Sequence, residues 1–519
     1  MPPDEFITNE LGRYIASISR DIGRQVAVLV ERNGDIPFVV VGDNRGVTIP
    51  DLSGYSLGPG RLRGLRLIHT HLKNEPLSNE DMTDLALLRL DAIAALGVED
   101  DGTPGRVYIA HLLPPNPRGQ TWAIIPPIPF HQLDVSPSEF LPALEDEMLR
   151  VQAESFDVKD KRERAILISV MRKGRRSEQE EAMEELRELA RSADVAVLDS
   201  VMQRPERVNP KYLMGEGKLK EIIITALQKG ATLFIFDQEL TPSQIRSITE
   251  LTEIKVIDRS QLILDIFASR AHSRDGKVQV ELAQLKYRLP MLSGKGTALS
   301  RLMGGIGGRG PGETKLETDR RRVRDRISRL ESTLKDLSSA RRQRKSRRAE
   351  VGLPIISIVG YTNAGKSTLL NALTQSATTV EDKLFATLDT ASRRLRFPRE
   401  RDVIITDTVG FIRDLPKPLF AAFRATLEEL EDADLLMHVV DISSPRFEEQ
   451  MAAVEKILSE LKLDDKERLV VFNKSDLLGW DFALAVANRQ GGVAVSALDR
   501  KSFPPLMEEL ERRLWKGDK

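Results

Sequence analysis

The sequence predicts a multidomain α/β protein, and three observations support this class. A chain of 519 residues is longer than one hydrophobic core usually serves, so three or four domains are expected. Apolar strand-like runs alternate with amphipathic helical stretches in residues 164–270 and again after residue 353, which favours helices packed on mainly parallel sheets. A glycine-rich loop also joins one of these apolar runs to a helix-forming segment.

The composition narrows the chemistry before any motif is considered. The chain has no cysteine, which excludes disulfides, thiolate catalysis and cysteine-ligated zinc and fits a reducing compartment. A formal net charge of −1 argues against coating by nucleic acid over the whole surface, so any basic surface has to be local. No segment has the pattern of a signal peptide or the length of a membrane span. We therefore expect a soluble, cytoplasmic monomer.

Residues 1–155 form the first predicted unit, an α/β domain. Its apolar strands cover residues 26–30, 38–41 and 65–68, and the last is followed at once by two histidines. The candidate zinc ligands are His69, His71 and Asp81, with Glu31 as a candidate acid or base. The alternative is a binding domain in which Ser78 caps a helix that runs to residue 90, with Asp81 at its third position.

The order of these polar residues also resembles a known motif. A His-x-His pair followed by Ser-x-x-Asp is similar to the motif of the JAB/MPN and RadC-like metalloproteases, although the gap here is one residue shorter. This resemblance implies a JAB-like fold. Its zinc hydrolase site is either functional or degenerate. A zinc metallohydrolase fused to the domains that follow is therefore one functional alternative.

Residues 164–275 are predicted to be a separate α/β subdomain. Strands at 165–170, 195–198 and 232–236 alternate with helices at 178–191 and 219–228, so the sheet should be parallel.

Residues 276–350 are predicted to form a helical hairpin. Apolar residues recur at alternating steps of four and three in both helices, which predicts an antiparallel coiled coil. The seam residues are Val278, Leu282, Leu285, Leu289 and Leu292, then Val323, Ile327, Leu330, Leu334 and Leu337. The joining loop, 303–312, contains six glycines, and Arg301 and Arg309 flank or lie within it. Many arginines lie on the outer faces of the second helix, which favours contact with the phosphates of structured RNA. The alternatives are a helix face that is only solvated and a loop that is only a flexible linker.

Residues 353–517 contain a phosphate-binding loop between a strand and a helix. The loop consists of Gly360, Tyr361, Thr362, Asn363, Ala364, Gly365, Lys366 and Ser367. Such a loop wraps phosphates with its backbone N–H groups, while Lys366 contacts the β- and γ-phosphates and Ser367 ligates Mg²⁺.

Further motifs follow in the order that a GTPase requires. Asp407, at a strand end, is predicted to lie near Mg²⁺, and the Gly410 N–H near the γ-phosphate. Thr387 is predicted to be the switch threonine that ligates Mg²⁺, with Thr390 as its competitor. The two segments consist of Asp407, Thr408, Val409 and Gly410, and of Phe385, Ala386, Thr387, Leu388 and Asp389. Lys366, Thr387, Asp407 and Gly410 are the predicted catalytic set.

Two short segments predict guanine specificity. Asp476 can accept two hydrogen bonds from the N1–H and N2–H₂ edge of guanine, a pair that adenine cannot donate, so GTP is favoured over ATP. The segments are Asn473, Lys474, Ser475 and Asp476, and Ser496, Ala497 and Leu498. The first segment is predicted to contact the guanine base through its side chains. The second segment is predicted to donate a backbone N–H to guanine O6.

Two positions bear on the rate of hydrolysis. Phe411 stands where many GTPases place a glutamine that orients water, so intrinsic hydrolysis should be slow until a partner completes the site. Asn363 is similar to the asparagine of potassium-activated GTPases, which implies K⁺ beside the phosphates. A role confined to the turn of the loop is the alternative.

Residues 164–516 resemble the HflX family of ribosome-associated GTPases. The resemblance rests on residues 212–218, 258–267, 304–321 and 407–416. It implies binding to the large (50S) ribosomal subunit and its rRNA, with the hairpin tip toward the peptidyl-transferase region. It also implies GTP-dependent dissociation or rescue of stalled 70S ribosomes under stress, and some use of ATP. A GTPase assembly factor for the large subunit remains the alternative.

Overall fold

Three separate sheets organise the chain, one in each predicted α/β unit. The computed structural model describes residues 1–52, 54–55, 61–116, 118–155, 162–292, 312–349, 353–374, 384–385, 391–397, 401–408, 410–413, 416, 419–420 and 428–515.

The N-terminal domain contains a six-stranded sheet in the order β2-β1-β3-β4-β5-β6. Its strands are β1 (Val26–Glu31), β2 (Phe38–Val41), β3 (Leu65–His71), β4 (Ala92–Val98), β5 (Pro104–Leu112) and β6 (Trp122–Pro129). Only the β3–β4 pair is parallel among these strands, and the other neighbours are antiparallel. Helices α1 (Asn9–Ile22), α2 (Asn79–Leu88) and α3 (Pro137–Ser155) complete the domain. An α/β domain is therefore confirmed, and its JAB-like character stays a prediction.

Strand β3 extends further than the sequence suggested. Its seven residues are all buried, and the two histidines are part of the strand where the pattern had placed them after its end. A parallel neighbour, β4, covers this end of β3, with His69 opposite Ala95 and His71 opposite Gly97. Both imidazoles therefore lie inside the domain.

The subdomain that follows has a parallel sheet, as predicted. Four strands lie in the order β10-β9-β7-β8, namely β7 (Arg164–Val170), β8 (Ala196–Gln203), β9 (Leu233–Phe236) and β10 (Lys255–Asp258). The helices are α4 (Arg176–Ser192), α5 (Glu216–Gln228), α6 (Pro242–Leu251) and α7 (Arg259–Arg270). The fourth strand and the last two helices were not predicted. Each of these helices begins directly after a polar cap, Thr241 or Asp258.

Two helices form the predicted seam between the subdomain and the last domain. They are α8 (Arg274–Arg288) and α9 (Gly312–Ala349). Leu282, Ile327 and Leu330 are buried at the seam. Ion pairs join Glu281 to Arg326 and Lys286 to Glu331 on its two flanks. Equivalent flanking positions of two seams face each other in an antiparallel pair, so the contacts agree with a hairpin.

The last domain has a six-stranded sheet in the order β12-β13-β11-β14-β15-β16. The strands are β11 (Ile355–Val359), β12 (Ala391–Arg396), β13 (Asp402–Asp407), β14 (Leu435–Asp441), β15 (Arg468–Asn473) and β16 (Val493–Ala494). Only β12 pairs antiparallel within it. The helices are α10 (Lys366–Thr374), α11 (Phe447–Glu460), α12 (Trp480–Arg489) and α13 (Pro504–Leu514). The carboxyl ends of β11, β13 and β15 thus share one edge, where a ligand is expected.

The N-terminal domain packs on the subdomain through α2 and α5. Ile224 of α5 contacts the core of the N-terminal domain, and Leu87 of α2 contacts the core of the subdomain. Arg63 also forms an ion pair with Glu253 at 3.3 Å. Within the described ranges, no helix combines the length and the apolar character needed to cross a membrane.

Candidate nucleotide-binding site and its contacts

The loop after β11 has a backbone that its glycines make possible. Gly360 and Gly365 have φ of +153° and +85°, which side chains rarely tolerate. A Cβ on Gly360 would lie 2.2 Å from the carbonyl oxygen of Val439, so the loop also needs the missing side chain for space. Asn363 has φ of +61°, a left-handed conformation in which asparagine is enriched. The loop is therefore shaped as a phosphate cradle.

Lys366 and Ser367 lie where the cradle meets the end of β13. The Lys366 Nζ donates to the carbonyl oxygens of Gly360 at 3.2 Å and Tyr361 at 2.7 Å. Burial lowers the pKa of Lys366 to about 8, against the opposing effect of Asp407. The Ser367 hydroxyl donates to Asp407 Oδ2 at 2.6 Å. A hydroxyl and a carboxylate this close are hard oxygen donors, and they fit Mg²⁺ with two coordination positions on the protein.

The segment after β13 is tied to the cradle by backbone hydrogen bonds. The Thr362 N–H donates to the Phe411 carbonyl at 2.7 Å, and the Phe411 N–H donates to the Gly360 carbonyl at 3.1 Å. A Cβ on Gly410 would lie 3.0 Å from Lys366 Nζ, so this glycine lies next to the lysine of the cradle, and its contact with phosphate stays a prediction. The Phe411 ring is 2% exposed and belongs to a hydrophobic core, which explains the residue type by packing.

Asn473 joins the cradle to the predicted base-binding loop. Its Nδ2 donates to the Ala364 carbonyl, and its Oδ1 accepts from the Ala497 N–H, both at 2.9 Å. The Asn473 side chain, which was predicted to contact guanine, therefore forms hydrogen bonds that hold the two loops together. Asp476 and Leu498 are exposed at the same edge of the sheet, and Leu498 is 82% exposed.

The neighbouring residues of these loops have structural partners of their own. Lys474 has φ of +62° and its Nζ pairs with Asp441 at 2.7 Å. The Ser475 hydroxyl donates to the Phe472 carbonyl, and the Ser496 N–H donates to the hydroxyl of Ser502. The Thr408 hydroxyl likewise donates to the Ile358 carbonyl. These contacts fix the loops in place.

Several predicted residues lie outside the described ranges. They are the residues 303–311 of the glycine-rich loop, Ala386, Thr387, Leu388, Asp389, Thr390 and Val409. The roles assigned to them from the sequence stay predictions.

Three protein-family models match consecutive parts of the chain. Residues 180–268 match "GTP-binding GTPase N-terminal", residues 270–348 match "GTP-binding GTPase Middle Region", and residues 355–474 match "50S ribosome-binding GTPase". GTPase HflX of Caldanaerobacter subterraneus subsp. tengcongensis is 48% identical over 68% of this chain and 81% of its own length. GTPase HflX of Escherichia coli K12 is 42% identical over 69% of this chain and 84% of its own length. The chain belongs to the HflX family of GTPases.

This HflX protein is also similar to a solved structure, that of a GTP-binding protein from Sulfolobus solfataricus in complex with GDP. The two sequences are 25% identical, and the match covers 69% of this chain and 100% of the other chain, with a TM-score of 0.38.

Membership of the HflX family establishes the reaction as GTP hydrolysis, with Mg²⁺ as the usual partner of the bound nucleotide. The chemistry is transfer of the γ-phosphoryl group to water, which the protein promotes by positioning and by charge. In this reaction Lys366 is predicted to supply positive charge and the Gly410 N–H a hydrogen bond, and Ser367 and Asp407 are the residues that would hold Mg²⁺. The three family-model matches begin at residue 180, so none covers residues 1–155.

The HflX subdomain contacts the phosphate loop through a buried polar network. The Tyr361 hydroxyl donates to Glu185 Oε1 at 2.5 Å and accepts from the Arg413 N–H at 2.9 Å. Glu185 also pairs with Arg259 at 3.1 Å, and Arg259 donates to the Arg413 carbonyl at 3.1 Å. Burial and the charge of Glu185 raise the pKa of Tyr361, so its hydroxyl keeps its proton. Helices α4 and α7 are thereby linked to both nucleotide loops.

A second contact joins the subdomain to the start of the segment that contains Thr387. The Leu384 N–H donates to the Ser192 hydroxyl at 2.9 Å. The ring of Phe385 lies 4.6 Å from that of Phe267, between centroids. Phe385 has φ of +59°, a strained conformation for an aromatic residue. Contacts with the subdomain therefore hold Leu384 and Phe385 in place.

The predicted zinc ligands of the N-terminal domain come together. His69 Nε2 lies 2.9 Å from His71 Nε2 and 3.3 Å from Asp81 Oδ1, and His71 Nε2 lies 3.6 Å from Asp81 Oδ2. The Asp81 carboxylate also accepts from the Ser78 N–H, so the predicted helix cap is present as well. Burial first, and then the charge of His69, lower the pKa of His71. Burial would raise the pKa of Asp81, but hydrogen bonds with His69 and Ser78 lower it to about 2.

The prediction that Glu31 serves this cluster is wrong. Glu31 pairs with Leu65 in the antiparallel ladder, whereas Ala27 pairs with His69. Four residues of strand separate the two positions by about 13 Å. The Glu31 carboxylate instead accepts from the Tyr55 hydroxyl at 2.7 Å. The predicted strand ended at residue 30, just before Glu31, and the sequence did not give the register of the strand that includes it.

Sequence reasoning also missed Glu185, Arg259 and Gln25. Glu185 and Arg259 act on Tyr361 across more than a hundred residues of chain, and nothing in the local pattern signals such a contact. Gln25 left a faint signal, since it is a polar residue at the start of an otherwise apolar strand.

Proposed function

We propose that this GTPase acts on ribosomes by binding the large subunit, and that GTP-dependent binding dissociates or rescues stalled 70S particles. The observation that carries the proposal is a basic face on α9. Arg321, Arg324 and Arg329 are exposed there and have no ion-pair partner among the side chains that the structure describes. Such arginines suit the phosphates of structured RNA. The description of the family model for residues 355–474, "50S ribosome-binding GTPase", supports the same partner.

The proposed action is conformational. GTP orders the switch segments, which are residues 385–389 and 407–410. The network of Tyr361, Glu185 and Arg259 then transmits that change to the subdomain. The hairpin helices adjoin the subdomain, because Gln284 of α8 donates to Asp265 of α7 at 3.0 Å. Hydrolysis would then release the protein from the particle. The ribosome is expected to complete the catalytic site, since the buried Phe411 cannot orient water.

The test combines turnover with particle splitting. GTP hydrolysis is measured with and without purified large subunits, small subunits and 70S particles, while light scattering follows the 70S particles. Stimulation by large subunits and 70S, with splitting in GTP or a non-hydrolysable analogue, is the expected result. Stimulation by large subunits without splitting would favour the alternative, an assembly factor for the large subunit. No response to any particle would exclude both.

A charge-reversal variant identifies the surface. Changing Arg321, Arg324 and Arg329 to glutamate should weaken large-subunit binding at least 10³-fold, roughly, at low salt, and should flatten its salt dependence. The matched control changes three exposed arginines of the N-terminal domain, Arg13, Arg45 and Arg118, to glutamate. Equal losses in the two variants would contradict the assignment of the face, because net charge alone would then explain the effect.

Potassium activation is a finer part of the proposal. Asn363 has its side chain on the cradle, and its left-handed backbone already favours asparagine there. The potassium role predicts faster hydrolysis in K⁺ than in Na⁺, and loss of that difference in Asn363→Gly, which keeps the backbone conformation. An ion preference that survives the substitution would rule this role out.

The N-terminal domain supports a second proposal, that His69, His71 and Asp81 bind zinc. A tetrahedral ion about 2.0–2.2 Å from each ligand places ligand atoms about 3.3 Å apart, close to the three separations found. His71 Nδ1 lies 2.9 Å from the Glu75 carbonyl, which fixes the ring and leaves Nε2 for a metal. Zinc content after purification without chelators, and its loss in His71→Ala, test the site. Glu31 lies away from the cluster, so the metallohydrolase form of the proposal lacks the acid or base predicted from the sequence.

A further inference from the structure

Gln25 is a buried side chain whose polar end is unsatisfied. The residue is 3% exposed, and its Oε1 has no hydrogen-bond partner among the residues that the structure describes. Its backbone is held on both sides, since its N–H donates to Asp43 and its carbonyl accepts from Gly42, each at 2.8 Å. A buried acceptor without a donor is unfavourable, and such groups in folded proteins point to a missing ligand, ion or water.

The sheet register places Gln25 at the histidine cluster. Ala27 pairs with His69 in the antiparallel β1–β3 ladder. Continuing that register by two residues places Gln25 opposite His71. Alternate residues of a strand share one face, so the Gln25 side chain is on the face of both histidines. Side chains directly opposite one another have Cβ atoms about 4.5–5.5 Å apart.

We propose that Gln25 is the residue that faces the open coordination position of a metal held by His69, His71 and Asp81, and that it makes this a metal-binding site without hydrolytic activity. The proposal rests on the zinc site proposed above. Three protein ligands leave the fourth corner of a tetrahedral ion to water, whose O–H groups need acceptors. The Gln25 Oε1 is such an acceptor. A carboxamide cannot take up the proton, so it cannot act as a general base.

A nearby carboxylate must be distinguished from Gln25. Asp84 follows Asp81 by one turn of α2, and burial together with Glu80 and Asp81 raises its pKa to about 6. Two positive charges oppose this shift, Lys220 of α5 and, to a smaller extent, His69. Asp84→Asn is therefore a control on the same helix that leaves Gln25 intact.

The experiment uses the full-length chain and measures affinity for Zn²⁺ alone, by competition with a fluorescent chelator. Gln25→Leu should weaken zinc binding about 10- to 100-fold, the usual effect of removing a residue that supports a metal site from outside the ligand set. Gln25→Glu should strengthen it, because a carboxylate adds negative charge beside the ion. Asp84→Asn should leave it within about threefold of wild type. GTP turnover and the melting temperature show that each variant is folded.

The outcomes separate this inference from the zinc site itself. Zinc loss in His71→Ala with unchanged affinity in Gln25→Leu would overturn the role of Gln25 and keep the site. Zinc-free wild type would remove the site and the inference together. Wild-type cleavage of a mixture of fluorogenic peptides, if it requires zinc and disappears in His71→Ala, would overturn the non-hydrolytic assignment. Absence of such cleavage alongside the expected affinities supports it.

Discussion

At the scale of single residues, Asp476 is the residue predicted to select the base. Its side chain is exposed, and its carboxylate can pair with two donors that only guanine presents. We predict that Asp476→Asn lowers affinity for GTP by about 100-fold or more, because an amide offers one acceptor and one donor where two acceptors are needed. The variant should gain affinity for xanthosine triphosphate, whose base has a carbonyl in place of the amino group.

Fluorescence titration with labelled nucleotides measures both affinities. Asp481→Asn is the matched control, since Asp481 is an exposed aspartate in the first turn of α12. A variant at Asp476 that binds GTP like wild type, or an equal loss in the control, would show that the base is read elsewhere.

Lys366 gives the site a predictable dependence on pH. Burial lowers its pKa from the usual 10.5 to about 8 when no phosphate lies beside it. A triphosphate favours the charged form and raises the pKa again, so binding above pH 8 takes up a proton. Affinity for GTP should therefore fall roughly tenfold per pH unit above pH 8. The same shift makes this group's contribution to the stability of the nucleotide-free protein rise between pH 8 and 10.5, because the unfolded chain binds the proton more tightly.

Calorimetric titration in buffers of different ionisation enthalpy measures that proton uptake directly. Guanosine is the control ligand, since it has the base but no phosphates and reports any other titration. Proton uptake near zero at pH 8.5 with GTP, or the same slope with guanosine, would mean that Lys366 stays charged throughout.

At the scale of elements, α4 meets the phosphate loop through one glutamate. Glu185 contacts Tyr361 and Arg259, and its removal leaves the buried Arg259 with only Asp237, at 3.5 Å, as a carboxylate partner in the described ion pairs. We predict that Glu185→Ala lowers the free energy of unfolding by about 3–5 kcal/mol, as breaking a buried pair usually does. Glu184→Ala is the matched control, because Glu184 is exposed and, among the described ion pairs, its partner is Arg187 of its own helix.

The control should change stability by about 0.5 kcal/mol or less. Calorimetric unfolding of both variants and of wild type measures these changes in the free energy of unfolding. Similar effects of the two substitutions would show that the network does not stabilise the junction between α4 and the loop.

The same elements show what sequence reasoning can reach. Motif residues such as Ser367 and Asp407 come together because a phosphate loop and a strand end encode their own local geometry, while their roles toward the nucleotide stay predictions. Seam residues such as Leu282 and Ile327 were found because a helix repeats its apolar positions. Glu31 was misplaced because strand register depends on pairing partners far along the chain. The Tyr361–Glu185 contact could not be predicted either, because the two residues lie far apart in the chain.

At the scale of the whole molecule, the subdomain and the GTPase domain share one hydrophobic core. Phe267 and Phe411 belong to the same cluster of buried residues, although Phe267 lies in α7 of the subdomain and Phe411 follows β13 of the GTPase domain. A nucleotide-dependent movement of the switch segments must therefore be transmitted to the subdomain or break contacts with it, since packed cores do not deform continuously. The hairpin and the N-terminal domain, which both adjoin the subdomain, are in a position to respond.

The contact between Leu384 and Ser192 offers the mildest test of this coupling. We predict that hydrogen exchange in α7 differs between the GDP and the GTP-analogue complexes, and that Ser192→Ala reduces the difference by removing the acceptor of the Leu384 N–H. Ser269→Ala is the matched control, because the Ser269 hydroxyl bonds only the Ile266 carbonyl of its own helix. Nucleotide affinity should remain unchanged in both, since neither serine touches the phosphate loop. If the exchange difference is the same in wild type and in both variants, the Leu384–Ser192 hydrogen bond does not transmit the movement. The conformational step proposed for ribosome release would then have to run through Tyr361 and Glu185.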